Sequence, residues 1–91
     1  MAYVPDSVKA ETRRSDQPKT AILTYILPIE DVPLLAHWVL TQKLQSGDTL
    51  TLEFSSCPGK DFIDWFRSCL KYTDLKISPK KDLHILVVSN K

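Results

Sequence analysis

Residues 27–35 read LPIEDVPLL, from Leu27 to Leu35, and the fold turns on how this stretch is read. Ahead of it, Thr20 to Leu27 (TAILTYIL) is β-branched and aromatic and stops at Pro28, which predicts a strand. Behind it, Val32, Leu35, Ala36, Val39 and Leu40 recur within one arc of a helix. Asp31 is the expected N-cap, because its carboxylate can accept from first-turn amides that have no partner inside the helix. Pro33 falls in that turn, where a missing N–H costs no hydrogen bond. The helix is expected to run to about Gln45 and to stop at Gly47.

Working outward, Asp48 to Ser55 alternates Leu50, Leu52 and Phe54 with Thr49, Thr51, Glu53 and Ser55, the period-2 pattern of a strand with one dry face. Asp61 to Tyr72 has helical period, with Phe62, Phe66, Cys69 and Leu70 on one stripe. Leu75 and Ile77 alternate with Asp74, Lys76 and Ser78, and Leu83 to Ser89 (LHILVVS) is more continuously apolar, as an inner strand would be. SPKKD, with its proline, is the expected turn between the last two strands. The halves TYILPIEDVPLLAHW and LEFSSCPGKDFIDWF echo each other, each running strand, proline, acid, tryptophan.

Residues 1–18 mix charges without a hydrophobic period and are expected to form a flexible N-terminal tail, leaving 19–91 as a single domain. The expected class is α+β. It is a two-layer α/β sandwich in βαβαββ order, with a four-stranded mixed sheet and two helices on one face, as right-handed crossovers require.

Composition narrows the functions. Ninety-one residues with 43% apolar content build one core, and a net charge of +1 demands no polyanionic partner. No apolar run is long enough for a membrane span and no signal-peptide core is visible, so a cytoplasmic protein without membrane attachment is expected. Two cysteines cannot form a disulfide framework. His37 faces away from the core arc and His84 has no Cys or His at ligand spacing, so no metal site is expected. Two glycines, Gly47 and Gly59, make no phosphate loop, and no cofactor is implied.

Leu34 and Trp38 stand four apart on the flank of the first helix, and Trp65 and Tyr72, seven apart, flank the stripe of the second in the same way. Large aromatics there either fill the seam between the helices or form a patch for a protein partner. Cys57, in SSCPGKD, lies after a strand and before a helix, where helix amides and Lys60 favour a nucleophilic thiol; Cys69 is expected to pack in the core.

From Leu35 through LQSGDTLTLEF to CPGKDFIDWF, and in its order of elements, the chain resembles the TusA (SirA-like) family of small sulfur carriers. That family has Cys-Pro-x-Pro at a helix start, and a turn into the next strand about fourteen residues later. Pro33 and Ser46-Gly47-Asp48 reproduce the interval, and Pro58 and Asp61 stand where the family often has Pro and Asp before its second helix. The four motif positions are Glu30, Asp31, Val32 and Pro33, so Glu30 replaces the persulfide-bearing cysteine and Asp31 the first proline. The resemblance covers about Ala21 to Val88. It implies a sulfur-relay type scaffold acting through contacts with a protein partner, without a carrier thiol at Glu30. The alternative is a sulfur carrier, hence an enzyme, using Cys57. A further alternative rests on a broad likeness in arrangement to small RNA-binding domains such as the C-terminal domain of translation initiation factor three. There Lys71, Lys76, Lys80, Lys81 and Lys91, with Arg13 and Arg14, would form a basic edge for nucleic acid.

Overall fold

A computed structural model describes residues 5–14, 23–81 and 83–90. Along the chain it has β1 (Ser7–Arg13), β2 (Leu23–Pro28), α1 (Val32–Thr41), β3 (Thr49–Phe54), α2 (Gly59–Cys69), β4 (Leu75–Lys80) and β5 (Ile85–Asn90). The five strands form one antiparallel sheet in the order β2-β1-β3-β5-β4. The α+β class stands as expected, while the four-stranded mixed sheet does not. β1 enters between β2 and β3, and β5 enters between β3 and β4, so strands that run in the same direction never become neighbours.

The largest correction concerns the segment expected as a flexible tail. Ser7–Arg13 is an inner strand, bonded to β2 on one side and to β3 on the other. Its alternation is Val8, Ala10 and Thr12 buried against Lys9, Glu11 and Arg13 facing away. Alanine and threonine carry so little apolar weight that the period is faint in sequence, and burial comes from the neighbours on both sides. Residues 1–4 and 15–22 lie outside the described residues, and with them the first part of the strand expected from Thr20.

Register puts Val8 opposite Leu27 and Phe54, Ala10 opposite Tyr25 and Leu52, and Thr12 opposite Leu23 and Leu50. Directly opposed residues share a face, so these form the side covered by the helices. Leu50 and Leu52 continue it to Val88 and Leu86 on β5. From above, α1 supplies Val32, Leu35, Ala36 and Val39 and α2 supplies Phe62, Ile63 and Phe66, with Phe54 and Phe62 edge-on at 5.1 Å. Leu40, expected in the core arc of α1, is exposed. Cys69, expected in the stripe of α2, is exposed as well, because the buried arc passes through Phe62, Ile63, Phe66 and Leu70 and leaves Cys69 on the flank of Trp65.

α1 also stops sooner than expected. Its C-cap is Gln42, and Lys43 turns into the left-handed region at φ 50°, while Gly47, at φ 93°, serves the following turn. Arg14 holds this end. Its Nη2 donates to the Gln42 carbonyl at 2.6 Å, and its Nη1 donates to the Lys43 carbonyl at 3.4 Å and to Asp48 Oδ2 at 3.0 Å. Asp48 is 3% exposed, and its carboxylate also accepts from the Gln45 amide at 2.9 Å. A guanidinium at a helix C-terminus thus meets both the helix carbonyls and a buried acid. Pro79, expected in a turn, lies in β4, an edge strand that tolerates a residue without an N–H.

Candidate functional site

β2, β3 and β4 run the same way, so the ends of β2 and β3 and the starts of α1 and α2 gather at one end of the sheet. The start of β1 joins these two corners: the Ile29 amide donates to the Asp6 carbonyl at 3.0 Å and the Ser55 amide to the Ser7 carbonyl at 3.0 Å. The Ser7 amide in turn donates to Ser55 Oγ at 3.2 Å. Each corner is therefore fixed by backbone bonds to one dipeptide.

At the first corner Asp31 is extended (φ −157°, ψ 170°), and its Oδ1 accepts from the Leu34 amide at 2.9 Å. This is the cap read from LPIEDVPLL, with Pro33 in the first turn. Glu30 is exposed and takes no part in that cap. The electropositive end of α1 is thus occupied by a carboxylate of the chain itself. At the second corner the N-cap residue of α2 is Pro58, which has no side-chain acceptor to offer, and Gly59 takes φ +78°. Cys57 and Lys60 are both exposed there.

The expected patch divides. Leu34 and Trp38 line a groove of about 100 Å³ with Leu27, Pro28, Ile29 and Leu35, between β2 and α1. Trp38 meets Tyr25 edge-on at 5.8 Å. Leu34 is 52% exposed and Tyr25 39% exposed, so the groove has apolar walls in water. Trp65 and Tyr72 belong to α2 and the segment after it and do not line the groove; Tyr72 lies under the Lys71 ammonium, 4.9 Å from its ring centre. A larger hollow of about 270 Å³ between the end of α2 and β4 is rimmed by Arg67 and Lys71, whose long charged side chains suit a solvated rim.

Sequence reasoning missed Tyr25, Leu23 and Ile26 as part of an exposed apolar surface. The signal was present: no charged residue occurs between Lys19 and Glu30, and the stretch is apolar on both strand faces. It also missed Arg14, which the basic-edge reading assigned to nucleic acid and which instead clamps α1. Among the described residues no group of three metal-ligating side chains converges, and no helix is long and apolar enough to cross a membrane. Comparison with protein-family models, with curated proteins and with solved structures finds no match to this chain.

Proposed function

We propose that this domain is a non-catalytic protein-docking module on a sulfur-relay type scaffold, working in the cytoplasm and meeting its partner through the groove between β2 and α1. The supporting observation is an apolar groove walled by Leu34 and Trp38, with Tyr25 edge-on against Trp38, beside a helix start already filled by Asp31. Buried interface centres favour aromatic anchors and few charges, and this groove is lined by apolar side chains. The sulfur-relay setting comes from the resemblance around Pro33 and Gly47. With Glu30 at the cysteine position, a carboxylate can sit in the field of the helix but cannot carry sulfane sulfur. Intact mass after incubation with a cysteine desulfurase and cysteine should be unchanged; a single added sulfur atom would refute the non-carrier reading. Capture of a partner by the parent chain should be lost on Leu34→Glu with the fold retained, and unaltered capture would refute the groove.

A second reading, a thiol carrier through Cys57, is favoured by one observation. Cys57 is exposed beside the start of α2, whose cap residue has no side-chain acceptor. If it holds, Cys57→Ser abolishes both sulfur loading and fast alkylation; alkylation at the parent rate would exclude it.

A further inference from the structure

We propose that the free edge of β2 pairs with β2 of a second copy of this chain, so that two sheets run together across a two-fold axis. This rests on the reading of the β2-α1 face as a docking surface and names one partner for it.

The backbone defines the free edge. The Ile29 amide donates inward to Asp6, and backbone groups alternate sides along a strand, so Leu27, Tyr25 and Leu23 bond to β1. The N–H and C=O groups of Thr24 and Ile26 therefore point away from the sheet. In an antiparallel pair of β2 strands centred on Tyr25, Thr24 of each copy faces Ile26 of the other, and each such pair exchanges two hydrogen bonds. The same register places Leu23 opposite Leu27, on the face that carries Trp38, and opposes Tyr25 to its own mate.

The occupant must cover both faces of the edge. Tyr25 and Leu23 are exposed on the helix side, and Ile26, 66% exposed, on the other. A ligand lodged in the groove alone would leave Ile26 and the outward backbone uncovered, whereas an added strand covers all of them. That strand has to be uncharged and apolar on both faces, and β2 itself meets the description. Its self-pairing brings no like charges together. The opposite edge differs: β4 carries Lys76, Lys80 and Pro79, which oppose strand addition. One edge is defended and the other bare, so pairing closes after two copies.

Sedimentation equilibrium of the full chain, from low micromolar to near-millimolar concentration, should give twice the mass of one chain. Ile26→Lys, at an exposed position, and Thr24→Pro, which removes an outward N–H, should each weaken the dimer by about tenfold or more while the circular dichroism spectrum is retained. Hydrogen exchange should show the Thr24 and Ile26 amides protected in the dimer and exposed on dilution. A monomer throughout, a dimer indifferent to both variants, or a dimer whose two amides exchange freely would overturn the pairing. A monomer leaves the docking groove itself to the Leu34→Glu capture experiment, so the two failures are distinguishable.

Discussion

β2-α1-β3 and β3-α2-β4 are built to one plan: two strands of like direction joined by a helix, with another strand, β1 or β5, slipped between them. Their surfaces are opposites. α1, VPLLAHWVLT, contains no Asp, Glu, Lys or Arg and exposes Leu34 and Leu40. α2, GKDFIDWFRSC, sets Lys60, Asp61, Asp64 and Arg67 outward. Among the described residues the outer strand of the first unit has no neighbour on its far side and no charge, and that of the second carries two lysines, with a proline inside it. An identical scaffold thus presents one face suited to a protein neighbour and one suited to water, which shows that here the exposed residues rather than the topology distinguish the two.

The sharpest test of this contrast concerns the two arginines near the helix ends. Arg14→Ala should remove about 3 kcal/mol of stability in urea unfolding, because Asp48 is left buried and the last carbonyls of α1 lose their donor. Arg67→Ala, on the exposed face of α2, should stay within about 0.5 kcal/mol. Equal losses would dissolve the distinction. Next, stripping the defended edge with Lys76→Thr, Pro79→Val and Lys80→Thr together should raise self-association roughly tenfold, about 1.4 kcal/mol, as read by light scattering. No change would mean that those residues do not guard it. Asp31→Ala should cost about 1 kcal/mol through loss of the cap at the first helix start. Thr12→Val should stabilise by about 0.5–1 kcal/mol, since the buried Thr12 hydroxyl has no hydrogen-bond partner among the described residues and the swap keeps the shape. At the bottom of the scale, Glu11→Gln breaks only the exposed Lys9–Glu11 pair, 3.4 Å apart, and should move the unfolding midpoint by less than about 0.5 kcal/mol.

Within the candidate site, the Asp31 cap and the Leu34–Trp38 pair were legible because both depend on local spacing: three residues for the cap bond and four for neighbours on a helix flank. Tyr25 joining Trp38 was not legible, since it requires β2 to lie beside α1. Trp65 looked equivalent to Trp38 for the same reason in reverse, because sequence spacing does not say which helix flank meets an open strand. Cys69 shows how fine the margin is: one helical step, about 100°, separates it from buried Leu70.

Hydrophobic period, a capping acid and proline placement act over a few residues, and they made the two corners, the helices and four of the strands legible along the chain. Tertiary structure alone decided that Ser7–Arg13 lies inside the sheet, that Arg14 reaches Asp48 across 34 positions, and which strand is left with an open edge. Those outcomes depend on strands brought together from distant parts of the chain. A weak alternation such as Val8, Ala10, Thr12 becomes a strand once backbone partners stand on both sides of it.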